Sequence, residues 1–191
     1  MNYKYILASG SPRRRELLSG LGLDFEVRLL AGIDESYPEG LTGEEIARRI
    51  SCKKADAYKA TMSDDELIIT ADTIVYIDGQ VLGKPKDEEE ARRMLHMLSG
   101  RTHLVITGVT LLTHEWKHTF DCVSEVSFGQ LSDEEINYYV SHYHPLDKAG
   151  AYGIQEWIGY VGVERIEGSY FNVMGLPVQR LYQVLKQFNV K

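Results

Sequence analysis

The sequence predicts an α/β fold. Runs of β-branched and aromatic residues recur between segments that carry helix caps and apolar stripes. The chain has 191 residues, 43% hydrophobic and 26% charged, enough to bury one sizeable core or two closely joined lobes. No repeat, low-complexity tract or linker divides it, so two lobes would be joined by the sheet itself.

Tyr3 to Leu7 alternates as a strand should, Ser9-Gly10-Ser11 is a turn cluster, and Pro12 suits the first position of a helix. Arg13, Arg14 and Arg15 then fall in the opening turn. Small side chains let an anion approach the backbone amides, the helix dipole adds partial positive charge, and Arg13 and Arg14 offer bidentate forks. Ile6 to Leu18 therefore reads as an anion cradle, with an arginine-rich surface face as the plainer alternative. One of Arg14 and Arg15 would face solvent or brace Glu16.

Leu23 to Leu30 reads as a strand, and Gly32 to Gly40 as a loop holding Asp34 and Glu35. Thr42-Gly-Glu-Glu45 is a capping box, which starts a helix from about Gly43 to near Lys59. Ile46, Ala47, Ile50, Ala57 and Tyr58 form its stripe. Lys54 shares that inward face, either snorkelling past the stripe to water or aiming its ammonium into a cleft.

Leu67 to Ile77 is the strongest strand, closed by Asp78-Gly79 as a tight hairpin to Gln80-Val-Leu82. Asp72 interrupts that apolar run. Carboxylates are rarely buried unless paired or metal-bound, so a functional acid is favoured over a structural aspartate at a strand bend. Regular pleating sends Asp72 and Thr73 to opposite faces, so both reach one ligand only near a strand end or bulge. Lys84 follows in Gly83-Lys-Pro85, ahead of a helix capped by Asp87 and Glu90 and closed by Gly100. His103 to Thr113 and Thr119 to Phe128 are strands joined by a polar hairpin, whose His114 and His118 lack the helical setting a metal pair needs.

Ser132-Asp-Glu-Glu135 is a second capping box, opening a helix to about Ser141. Pro145 to Gln155 reads as a loop that a packed core would not select, and Ile158 to Glu167 as a glycine-punctuated strand region. Leu181, Val184, Leu185 and Phe188 form the apolar face of a last helix. Gln155 carries a donor and an acceptor that can match the imide edge of uracil or thymine, a surface glutamine being the plainer reading.

Net charge of −7 disfavours nucleic acid as a partner, so a basic cluster points to a local, shaped site. Two cysteines and an N-terminus without a secretory apolar stretch suggest a cytoplasmic protein, and no run is long enough to span a membrane. Cations together with Asp34, Glu35 and Asp72 suggest a polyphosphate bound with a divalent metal, Mg²⁺ or Mn²⁺. No Walker loop or kinase glycine loop occurs. Attack by water fits better than transfer to a second substrate, with Asp72 as the base or as a metal ligand beside Glu35.

LASGSPRRRELL, ADTIV, LGKP, DKAGAYGIQ and GSYFNVMGLP, in this order, resemble the motifs of the Maf family of nucleoside triphosphate pyrophosphatases nearly end to end. The resemblance implies one Maf-like domain over residues 1–191, with an elongated central mixed sheet flanked by helices. It also implies two lobes with a cleft, similar to inosine triphosphate pyrophosphatases. It implies hydrolysis between the α- and β-phosphates to a monophosphate and pyrophosphate, and a possible homodimer. By matching position, Asp72 is the family's proton acceptor, and Arg13, Thr73 and Gln155 are its specificity positions. Ser9, Lys54, Lys84 and Glu35 match further active-site positions. The DKAGAYGIQ form is similar to the branch acting on dTTP and UTP. Glu156-Trp157 departs from it, since glycine commonly follows the glutamine there, and base preference stays open at that point. From another class, a nucleotide-sensing regulator of septum formation is the alternative.

Overall fold

A computed structural model of the chain describes residues 3–188. β1 (Lys4–Leu7) leads into α1 (Pro12–Ser19), whose N-cap Ser11 accepts from the Arg14 amide and whose first turn holds Pro12. β2 (Phe25–Val27) is shorter than expected. Leu29 remains exposed and the Arg28 guanidinium turns to Glu66 (2.8 and 2.6 Å), while Leu30 packs against the core that holds Ile6 and Tyr58 without extending the strand.

The capping box at Thr42 and Glu45 is fully formed at the head of α2 (Gly43–Asp56). The helix ends before Lys59 because the chain tightens into shorter turns, Tyr58 N–H donating to Ala55 C=O (3.0 Å). β3 (Glu66–Ile77) and β4 (Gln80–Leu82) form the expected hairpin, with φ of 52° at Asp78 and 77° at Gly79. α3 (Glu88–Leu98), β5 (Thr102–Leu112), β6 (Lys117–Phe128) and α4 (Asp133–Tyr143) follow as read, α4 running on past Ser141 to Tyr143.

Pro145 to Gln155 is not a loop outside the core: it makes 3₁₀ turns at Pro145–Asp147 and Ala149–Ala151 and buries Ala151, Tyr152 and Ile154. Its glycines serve close approach, since a Cβ on Gly150 would lie 2.7 Å from Val75 Cγ2. Ile158 to Glu167 is a helix and a strand, α5 (Trp157–Gly162) then β7 (Val163–Glu167). Gly159 lets α5 pass over the Ile154 carbonyl, which a Cβ would meet at 1.7 Å, so a helix-packing glycine had the look of strand punctuation. α6 (Tyr170–Met174) and α7 (Val178–Leu185) complete the chain; α7 buries Leu181, Val184 and Leu185, and the Phe188 side chain lies outside the described residues.

Among the described residues the strands form one mixed sheet in the order β2-β1-β3-β5-β6-β7, with β4 on β3. β1 is parallel to β2 and β3, while the β3–β4 and β6–β7 pairs are antiparallel. The chain divides into two compact units: residues 1–72, 107–122 and 175–191, and residues 73–106 and 123–174. The first has a core that includes Ile6, Tyr58, Ile68 and Leu112; the second packs α3, α4 and α5 through Leu95, Tyr139 and Ile158 around Val105 and Phe128.

Candidate active site

In the first unit, packing of α2 on the sheet sets the geometry. The buried Thr70 hydroxyl donates to the Ser51 carbonyl (2.7 Å), and Gly108 of β5 lets the α2 backbone come close, since a Cβ there would lie 2.2 Å from the Ala47 oxygen. These contacts bring Lys54 over Asp72. Its Nζ donates to Asp72 Oδ1 (2.7 Å) and stands 3.2 Å from Glu35 Oε1. The lysine is therefore neither snorkelling nor solitary, and two of the three acids singled out by the sequence, Glu35 and Asp72, converge on it. Asp34 turns elsewhere, accepting from Lys53 Nζ (2.6 Å) and the Ser36 amide (2.9 Å), which hold its carboxyl well below the usual range.

Ser9 is buried, and its Oγ accepts from the Ser11 amide (3.3 Å) and from Arg14 Nη1 (3.4 Å). Arg14 Nε donates to the Gly175 carbonyl (2.8 Å). Burial lowers the Arg14 pKa, against the pull of the Asp72 carboxylate, and the guanidinium stays charged at neutral pH. Arg14 is thus the inward arginine and Arg15 the exposed one; Arg13 is half-buried.

Thr73, Lys84 and Gln155 belong to the second unit. β3 runs through Asp72 and Thr73 without a break, so neither stands at a strand end. Lys84 is exposed after β4. Gln155 is half-buried, and its buried Oε1 has no hydrogen-bond partner among the described residues.

The model of the Maf-like protein family matches residues 4–188. The chain belongs to the Maf family. A protein of Phocaeicola vulgatus named dTTP/UTP pyrophosphatase is 64% identical, the match covering 97% of this chain and 96% of that one. Relatives of the same name in Bacteroides thetaiotaomicron and Parabacteroides distasonis are 60% and 61% identical over the same shares. A HAM1 protein from Coxiella burnetii has the same fold, with a TM-score of 0.51 at 18% identity over 97% of this chain and 99% of that one.

Among the described residues of this Maf protein, no cluster of three or more His, Cys, Asp and Glu side chains gathers to hold a metal. Glu35 and Asp72, meeting at Lys54, offer a two-carboxylate donor set. That suits a hard cation which takes its remaining oxygens from phosphate and water.

Reading by motif missed two arrangements. One is the tie from Arg14 to Gly175, 161 positions away in sequence; the adjoining Leu-Pro was the visible signal. The other is a buried network on Lys148. Its Nζ lies 2.8 Å from Asp147 Oδ1 and 3.1 Å from Glu156 Oε1, and the Tyr139 hydroxyl donates to Glu156 Oε2. Lysine and acid both flank the glycine-rich segment, but their pairing requires the turn between them.

Proposed function

We propose that this Maf protein hydrolyses dTTP and UTP, and modified pyrimidine analogues of them, to the nucleoside monophosphate and pyrophosphate. The observation that carries the reading is Asp72 on Lys54, with Glu35 on the same ammonium, in a chain 64% identical to a protein named for this activity. A half-buried carboxylate held at one oxygen can orient a water and accept its proton as the water oxygen bonds to phosphorus and the α–β bridge breaks. Ser9, the amides that open α1, Arg13, Arg14, Lys54 and Lys84 bind the phosphates and disperse the charge that develops on their oxygens.

Mg²⁺ or Mn²⁺, when bound, neutralises phosphate charge and polarises the scissile bridge. Glu35 and Asp72 would hold it, and the Lys54 ammonium would then turn to phosphate oxygen. Arg13 and Gln155 select the base, the Gln155 amide pairing with the imide edge of thymine or uracil, whereas Thr73, which the unbroken pleat of β3 turns away from Asp72, takes no part in this reading. A single Maf domain in the cytoplasm, acting on free nucleotides, accommodates all of these roles.

The test is product analysis by ³¹P NMR with dTTP or UTP and Mg²⁺. Monophosphate and pyrophosphate in equal amounts are expected. Orthophosphate as the first product would overturn the reading.

A further inference from the structure

The second unit holds its glutamine by an unusual device. Gly153 to Glu156 is a closed turn, Glu156 N–H donating to Gly153 C=O (2.9 Å). Gly153 N–H donates to the Tyr139 hydroxyl (3.0 Å), which in turn donates to the Glu156 carboxylate at the far end of the same turn. Tyr139 is fully buried on the inward face of α4. The second Glu156 oxygen meets Lys148, itself buried and shared with Asp147. Both Gln155 and Glu156 fold back over the bare glycine: a Cβ on Gly153 would lie 2.9 Å from the Glu156 carboxyl carbon and 3.1 Å from Gln155 Nε2.

A buried ammonium and a buried phenol would be costly alone, whereas a polar network in which each member has its partner is rigid. This one has a partner for each charge and hydroxyl, and the group it leaves unmatched is the neighbouring Gln155 Oε1. An acceptor kept from both water and protein carries a desolvation penalty, relieved when a ligand supplies an N–H. Rigid support matters for such a group, because an amide free to turn could satisfy itself locally and lose its discrimination.

We infer that Glu156 is a positioning residue for base selection: its carboxylate, clamped between Lys148 and Tyr139, fixes the turn that presents the Gln155 amide. This rests on the reading of Gln155 as the base-selecting residue. The chain thereby gives a task to the acid found where glycine commonly follows the glutamine. Glu156 touches no substrate in this role; it acts through its neighbour.

The full-length protein and its Glu156→Gly, Glu156→Gln, Tyr139→Phe and Gln155→Ala variants are assayed for kcat and KM on UTP and CTP, with melting temperatures recorded. Glu156→Gly should lower the UTP-over-CTP ratio of kcat/KM by about tenfold, mostly through KM for UTP. Tyr139→Phe should lower it by roughly threefold, and Glu156→Gln, which still accepts from Tyr139, should restore it to within about twofold. A network that served folding alone would move melting temperature and leave the ratio alone. The inference is overturned if Gln155→Ala collapses the ratio while Glu156→Gly and Tyr139→Phe, folded at the assay temperature, leave it within about twofold of the parent. If Gln155→Ala itself leaves the ratio unchanged, the base-selecting role of Gln155 fails, and the role of Glu156 falls with it for that separate reason. Should Glu156→Gly not fold, Tyr139→Phe, which removes a single oxygen, decides between these outcomes.

Discussion

Two clusters of the same composition, one lysine between two carboxylates, occur in the two units. Lys54 meets Asp72 and Glu35; Lys148 meets Glu156 and Asp147. In each, one acid is largely buried and the other open to solvent. Asp72 and Glu156 are 13% and 20% exposed, Glu35 and Asp147 57% and 59%. Their surroundings differ. The second carboxylate oxygen of Glu156 is tied to a buried tyrosine and, through it, to the backbone of its own turn. The Asp72 cluster instead lies within electrostatic reach of Arg14, a residue in the first turn of α1 that is braced on Gly175 and Ser9. The same ion-pair chemistry therefore stands in two settings, one beside a helix start and one closed by a buried hydroxyl, and under the proposed function the first would exchange a partner for phosphate or metal while the second stays fixed.

Substitutions can break that contrast. The largest effect is expected for Asp72→Asn, which should lower kcat for pyrophosphate release by about 10³-fold, in the range of a lost general base. Its melting temperature should barely move, as seen by calorimetry. Lys148→Met should do the reverse. Stranding Glu156 beside a buried phenol should cost about 3 kcal/mol, or roughly 6–12 °C in thermal melting for a chain of this size. Lys54→Met, by comparison, should lower kcat/KM by about 10² while shifting the melting temperature by less than half as much, because Glu35 and solvent reach the site.

His103 sharpens the picture of the second unit as the rigid one. Its imidazole is buried, its Nε2 lies 2.8 Å from the Tyr152 hydroxyl, its ring packs edge-on to Phe128, and burial lowers its pKa from 6.5 to about 4. The unfolded chain takes up a proton near pH 6.5, whereas the native chain does so near pH 4. This contribution to stability is therefore complete above pH 6.5 and lost as the pH falls towards 4. Urea unfolding at pH 7 and pH 5 should differ by about 2 kcal/mol from this group, and His103→Gln should flatten that difference. The smallest effect is expected for Thr42→Ala. Loss of the α2 capping box should cost about 1 kcal/mol, or roughly 2–4 °C, without altering base preference.

Local chemistry made much of this legible in advance. Ser11 and Pro12 at the start of α1, the Thr42 and Ser132 capping boxes, and Asp78-Gly79 in the hairpin are rules satisfied within a few residues, so tertiary context had little to override. The acid in the strongest strand and the lysine on an apolar helix face were each conspicuous because burial of a charge demands a partner. Residues 145–162 resist such reading for the complementary reason. Glycine has the same letter whether it loosens a loop, as composition suggests, or admits a neighbouring backbone, as Gly150 and Gly159 do.

By itself, then, the sequence determined the helix starts, the hairpins and the inventory of charges, because caps, turns and periodicity are settled by near neighbours. The ordered motifs determined the family. Tertiary structure alone decided which charge meets which. Lys54 meets Asp72 and not water because Thr70 and Gly108 seat α2 on the sheet, and Glu156 lies between Lys148 and Tyr139 because the turn at Gly153 sets it there. Pairing depends on distances through space, and these follow from packing many residues away from the charges themselves.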